Sequence, residues 1–240
     1  MNKNTCGGGG CCGEACENCP CQNGMPCLHE SNNDTCACCG DEELGMYGMA
    51  ENVNAEIGEP IEDFIVDKYQ GGKIDKVFLS YYAGKWVVLF FYPADFTFVC
   101  PTELEELADM YEKFTKINAE VLSVSTDTAF AHKAWAESSP AIKKVKFPML
   151  ADPAHELSEY FNVLIRDDGL ARRGTFIINP EGVLVSMEVN DNSIGRSAKE
   201  LYRKLQAAQF VYEHGDQVCP ASWEPGEDTL TPSDELVGKI

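Results

Sequence analysis

A cysteine is nucleophilic as its thiolate, and positive charge or a helix N-terminus favours that form. Cys100 stands where the second condition is met. It lies in WVVLFFYPADFTFVCPTELEEL, residues 86–107, with Pro101 directly after it, Thr97 three residues before and Pro93 seven before. Leu104, Leu107, Tyr111 and Phe114 then recur at the spacing of one helix face. Proline suits the first turn of a helix, where its missing N–H would have had no partner. Cys100 is therefore expected at or beside a helix N-terminus, where unpaired N–H groups and the helix dipole favour an anion. One turn of loop would bring the Thr97 hydroxyl to the sulfur. The competing reading of such a residue is a small buried hydrophobe. The strand, loop and helix start around Cys100 favour the nucleophile.

The elements that must position this thiol follow from local patterns. Trp86–Tyr92 is an unbroken apolar run and reads as a buried strand. Pro93–Val99 is the loop. Glu120–Ser125 reads as a second strand, then a helix over Ala129–Ser138 capped by Asp127 or Thr128. Phe147–Leu150 reads as a short strand and His155–Phe161 as a short helix. Gly174–Asn179, the turn Asn179-Pro180-Glu181-Gly182 and Val183–Val189 make a strand–turn–strand. Ser197 is placed to cap a long helix with Leu201, Leu205, Ala208 and Val211 on one face. Strands and helices alternate early and a hairpin comes late, which predicts an α/β fold with a mixed sheet flanked by helices.

The remaining cysteines divide the chain. Of 12, ten lie between Cys6 and Cys39, and only Cys100 and Cys219 follow. Residues 1–50 form a Cys-rich, irregular N-terminal extension and linker, and residues 51–240 the globular body. The extension has seven acidic residues, one lysine and almost no aliphatic side chains, so it cannot build an apolar core. Its candidate metal ligands are Cys11, Cys12, Cys16, Cys19, Cys21, Cys27 (with His29 nearby), Cys36, Cys38 and Cys39. Thiolates of this density take zinc, copper(I) or iron–sulfur clusters. The spacing is closer to a metallothionein-style thiolate pool than to a zinc finger. An oxidisable thiol-rich tail and a small disulfide knot are the other two readings.

Charge excludes some partners. The formal net charge is −20, with 39 acidic against 19 basic residues. Nucleic acid and anionic membrane both call for basic patches, so neither is expected. The seven-residue apolar run is too short for a membrane span. The opening MNKNTCGGGGCC has no apolar signal-type stretch, which leaves the cytoplasm as the expected compartment.

PADFTFVCPTE resembles the active-site loop of the peroxiredoxins, with Pro93, Thr97 and Cys100 at the matching positions and Glu103 at that of a frequent glutamate. The resemblance recurs along residues 55–240. Arg173, in RRGTFII, takes the place of the family's active-site arginine, and Arg196, in GRS, that of a second arginine near the site. HGDQVCPASW around Cys219 resembles the resolving-cysteine segment of typical 2-Cys members, and the ending LVGKI is similar to the bacterial alkyl hydroperoxide reductase C type. The resemblance implies a thioredoxin-like fold and reduction of hydrogen peroxide and organic hydroperoxides without a cofactor. It implies that Cys100 becomes a sulfenic acid, Arg173 stabilises negative charge, Thr97 bonds peroxide and thiolate, and Pro93 shields the sulfur. It further implies a Cys100–Cys219 disulfide between subunits, a homodimer assembling to a decamer, and recycling by thioredoxin or an AhpF-like flavoprotein.

Two departures from peroxide-sensitive members imply a robust enzyme. Ser138-Ser139-Pro140-Ala141 stands where they carry Gly-Gly-Leu-Gly, and no Tyr or Phe follows Trp223. The extension is outside the resemblance, so a metal-binding or redox-relay role for it stays open. A cysteine hydrolase using Cys100 with His132 or His155 would be a different class. It leaves Thr97 and Cys219 without a purpose.

Overall fold

The computed structural model describes residues 54–239. Its centre is β3 (Trp86–Phe91), in which every residue is buried. Strand alternation sends Trp86, Val88 and Phe90 to one face of the sheet and Val87, Leu89 and Phe91 to the other, and each face carries its own core. β3 continues through its loop into α1 (Cys100–Lys116), which returns the chain to β4 (Ala119–Ser125), parallel to β3. Then α2 (Ala129–Ser138) leads to β5 (Met149–Ala151), parallel to β4. On the other side of β3 lie β8 (Arg173–Ile178) and the edge strand β9 (Leu184–Asn190), both antiparallel. β1 (Ile65–Gln70) and β2 (Lys73–Phe78) complete a seven-stranded mixed sheet in the order β2-β1-β5-β4-β3-β8-β9. α1 and the long α4 (Ala198–Glu213) pack side by side, with Leu104, Leu107, Phe114, Leu201 and Leu205 buried in one core. The short α3 (Glu156–Tyr160) and the two-residue strands β6 (Leu164–Ile165) and β7 (Leu170–Ala171) connect β5 to β8.

The α/β mixed sheet is the expected one, with local differences. The β1–β2 hairpin has no counterpart among the expected elements. Gly71 and Gly72 form its turn at φ of 58° and 87°, the pair of left-handed residues that a two-residue hairpin requires. The strand expected over residues 147–150 forms instead at Met149–Ala151, past Pro148, which has no N–H for a ladder. The strand expected from Gly174 starts one residue earlier, and that takes Arg173 into β8. Thr128 caps α2 by accepting from Ala131 N at 3.3 Å, while Asp127 is used elsewhere. Ser197 caps α4. Leu201 and Leu205 are buried on α4 as expected, but Val211 is exposed. The last turn of the helix packs through Phe210, which meets the Trp223 ring at 4.9 Å.

Candidate active site

Cys100 is the first residue of α1 and is fully buried. Pro101 follows it in the first turn, and the N–H groups of Thr102 and Glu103 reach back to the Val99 carbonyl. Register supplies the partner of the sulfur. Phe90 of β3 pairs with Thr175 of β8, so Arg173, two residues further along, comes to where β3 runs out into the Cys100 loop. Its Nη1 lies 3.3 Å from Cys100 Sγ.

Glu103 stands one helical turn after Cys100 and so shares its face. Its carboxylate, buried, accepts from Arg173 Nη1 at 2.7 Å and from Arg196 N, Nε and Nη2 at 2.8, 2.9 and 3.1 Å. Arg173 Nε also donates to Asn192 O. Arg196 Nη1 donates to Gly174 O and Thr175 Oγ1, and its guanidinium lies 3.4 Å over the Phe90 ring. Burial draws the Arg196 guanidinium down from its ordinary range, and the Glu103 carboxylate opposes that. Two guanidiniums share one carboxylate, so one positive charge is left over in a water-poor site. The sulfur is the group that faces it.

Thr97 has its hydroxyl 2.9 Å from the Ala94 carbonyl. A carbonyl only accepts, so the Thr97 proton is committed there and its oxygen is left as an acceptor. In this arrangement the hydroxyl donates to Ala94 and not to the sulfur. Pro93 is buried at the start of the loop. Phe96, between them, holds φ at 56°, left-handed backbone that a bulky residue rarely adopts.

Cys219 lies beyond α4, half-buried, with Sγ 3.8 Å from the Ala207 carbonyl of that helix. Both Cys100 and Cys219 are free thiols. Burial pushes the Cys219 thiol up, and nearby Arg203 opposes the shift. Arg203 pins the segment: its Nη1 donates to Trp223 O at 2.8 Å while its Nε and Nη2 fork onto Glu200. Trp223 is buried, and Val218 and Leu230 exchange backbone hydrogen bonds.

The structure thus joins Cys100, Arg173, Glu103 and Arg196 by direct contacts and leaves Cys219 apart from them, beyond α4 and against its Ala207 carbonyl. Neither His132 nor His155 makes a hydrogen bond to the Cys100 sulfur, which has Arg173 beside it. His132 is buried with Nδ1 on Asp95 and Nε2 on Leu150 O, and His155 precedes α3. Sequence patterns pass over Tyr92, Asp95 and Asn192: Tyr92 and Asp95 are only three residues apart, but Asp95 also meets His132, and Asn192 meets Arg173, from much farther along the chain. Among the described residues, no group of three or more His, Cys, Asp or Glu is arranged to hold a metal ion, and no helix is long and apolar enough to cross a membrane. The cysteines proposed as ligands, Cys11 to Cys39, lie outside the described residues.

The chain is similar to known proteins over most of its length. Residues 57–187 match the AhpC/TSA family, and residues 207–239 match the C-terminal domain of 1-Cys peroxiredoxin, a span that here contains Cys219. The chain is 50% identical over 184 residues to alkyl hydroperoxide reductase C of Pseudomonas aeruginosa, covering 77% of this chain and 98% of that protein. It is 47% identical over 184 residues to the protein of the same name from Escherichia coli K12, with the same coverage. The crystal structure of Enterococcus faecalis AhpC superposes with a TM-score of 0.68 at 49% identity, covering 69% of this chain and 99% of that one. Reduced Plasmodium vivax 2-Cys peroxiredoxin superposes with a TM-score of 0.71 at 34% identity, covering 75% and 94%.

Proposed function

The chain belongs to the AhpC/TSA family and is a peroxiredoxin peroxidase of thioredoxin-like fold, and from that premise we propose a two-cysteine cycle for it. Peroxiredoxins need no cofactor for this reaction. The Cys100 thiolate attacks one oxygen of the peroxide. The O–O bond breaks, its electron pair leaves with the other oxygen, and protonation releases water or alcohol. Cys100 is left as the sulfenic acid. Arg173 carries the reading: it is always protonated, offers several donors in a fixed fork, and touches the sulfur. Negative charge that builds on the breaking bond meets a donor set already held in place by Glu103 and Asn192. Thr97, with its proton committed to Ala94, accepts from the peroxide hydroxyl. Pro93 walls the sulfur from bulk water.

Cys219 of a second subunit then attacks the sulfenate sulfur, releasing its oxygen as water and forming the intersubunit disulfide. Two electrons from thioredoxin or an AhpF-like flavoprotein return both cysteines to thiols. The cytoplasm, where thiols are kept reduced, suits this cycle. Exposed apolar residues support a homodimer and its decamer: Met187 and Val189 are exposed on the edge strand β9, Phe98 is almost fully exposed and Phe130 is three-quarters exposed.

Cys219→Ser tests the cycle. Turnover with a protein disulfide reductant should be lost while the first oxidation of Cys100 by peroxide stays as fast as in the parent. A slower first oxidation would place Cys219 in the peroxide step instead. We also propose resistance to overoxidation. In the parent protein the disulfide should accumulate ahead of Cys100 sulfinic acid as peroxide is raised, since Ser138-Ser139-Pro140-Ala141 stands where peroxide-sensitive members carry Gly-Gly-Leu-Gly, and residues 224–239 hold no Tyr or Phe. Mass spectrometry that finds sulfinic acid first would contradict this.

The ten cysteines between Cys6 and Cys39 favour a second role beside the first, binding of zinc or another thiophilic metal by the N-terminal extension. Elemental analysis of protein purified without oxygen should find stoichiometric metal. A metal-free protein would end that reading.

A further inference from the structure

Behind the catalytic loop, three buried polar side chains make a closed network that the cycle above does not use. Tyr92 OH donates to Asp95 Oδ1 at 2.7 Å. His132 Nδ1 lies 2.8 Å from Asp95 Oδ2, and His132 Nε2 lies 3.1 Å from Leu150 O. His132 and Tyr92 are fully buried and Asp95 nearly so. The carbonyl can only accept, so Nε2 carries a hydrogen. A single proton lies between Nδ1 and Oδ2, and the histidine–aspartate pair is neutral as a unit. The two oxygens of Asp95 are thus held by two core residues, one closing β3 and one on α2.

Asp95 itself belongs to the loop Pro93–Val99. Apolar packing holds that loop only in part: Phe98 is almost wholly exposed, and Phe96, more than half exposed and strained in its backbone, has its ring 6.0 Å from that of Trp135 on α2. One peptide unit decides its geometry, that between Ala94 and Asp95. Its N–H donates to Asp127 Oδ2 at 2.8 Å, and its carbonyl accepts the Thr97 hydroxyl proton at 2.9 Å. Whatever fixes Asp95 therefore fixes the plane that aims Thr97, three residues before Cys100.

We propose that His132, through Asp95, is a positioning residue for the peroxide step: it locks the loop in the form that orients Thr97 and covers the Cys100 sulfur. The inference rests on the reading of Cys100 as the peroxide-reacting thiol. A lock of this kind sets two rates in opposite directions. Loosening the loop misplaces the peroxide and slows its reduction, since misplacement by about 1 Å costs on the order of 100-fold. It also uncovers the buried sulfur, which then reacts faster with an alkylating agent that needs access and no oriented oxygen. A network that only adds stability moves neither rate in the folded protein.

The test uses the full-length protein, three variants that keep Cys100, which is followed by peptide mass spectrometry after hydrogen peroxide or iodoacetamide, and a fourth that lacks it. Gln at position 132 can reach the Leu150 carbonyl but not Asp95, and Asn can reach Asp95 but not Leu150. In H132Q the rate with peroxide should fall by at least about 10-fold and the rate of alkylation should rise. H132N should restore most of both. H132Q with unchanged rates, or with both rates falling together with the folded fraction, overturns the proposal. Should H132Q fail to fold, Y92F decides, because it removes one donor to Asp95 and must show the same opposed changes in smaller measure. Unchanged rates in Y92F overturn the proposal. Cys100→Ser protein that still consumes peroxide would instead remove the reading of Cys100, whatever the His132 variants do.

Discussion

Cys100→Ser protein should be folded and should reduce no peroxide. A serine hydroxyl does not ionise near neutral pH and is a poor nucleophile towards an O–O bond, so loss of the nucleophile should lower turnover roughly 10,000-fold or more. The fold should tolerate the change. Oγ is smaller than Sγ by little, Arg173 Nη1 keeps an acceptor in front of it, and the helix start at Pro101 is untouched. Stability should stay within about 1 kcal/mol of the parent. Peroxide consumption with dithiothreitol as donor, beside a thermal melt, measures both. Persistent turnover in a folded serine variant would assign the chemistry to another thiol, and the extension's cysteines would be first in line.

Glu103→Ala should damage both fold and activity. Glu103 is the one carboxylate between two buried guanidiniums, with side-chain exposures of 2% for Glu103 and 4% for each arginine. Its removal leaves like charges facing each other without water, and breaking a buried pair from one side costs about 3–5 kcal/mol. For a domain of this size that lowers Tm by roughly 10 °C. Arg173 also loses the bond that aims its Nη1 at Cys100, so the folded fraction should react more slowly with peroxide. Glu103→Gln keeps the shape but turns one acceptor into a donor facing a guanidinium, and should recover only part of the loss. Thermal melts and single-turnover oxidation of Cys100 separate the two effects. A melt within about 1 kcal/mol of the parent would mean that Glu103 is not the counterion that the geometry makes it.

What was legible in the sequence is what chain-local patterns encode. The apolar run of β3, the helical spacing after Cys100 and Pro101 in the first turn place the thiol without any tertiary knowledge. The caps at Thr128 and Ser197 are equally local. Arg173 and Arg196 were reached through family resemblance, because no spacing rule links a residue on β8 to a helix 70 positions earlier. The Asp95–His132 pair escaped residue-level reading for the same reason, with a separation of 37 positions. Thr97 is legible as a loop hydroxyl three residues before Cys100, but where its proton goes depends on the orientation of one peptide unit. The β1–β2 hairpin is a different case. Its Gly71-Gly72 turn is a strong local signal, and the flanking strands are too polar on their outer face to advertise themselves.

The central claim is that Cys100 and Cys219 act as a pair, and one measurement tests it most directly. Reduced protein lacking residues 1–50 is given one equivalent of hydrogen peroxide, run on a non-reducing gel and mapped by mass spectrometry. The account predicts a dimer band with Cys100 joined to Cys219 of the other subunit. A monomer band with Cys100 held at the sulfenic stage and Cys219 still a thiol would contradict it.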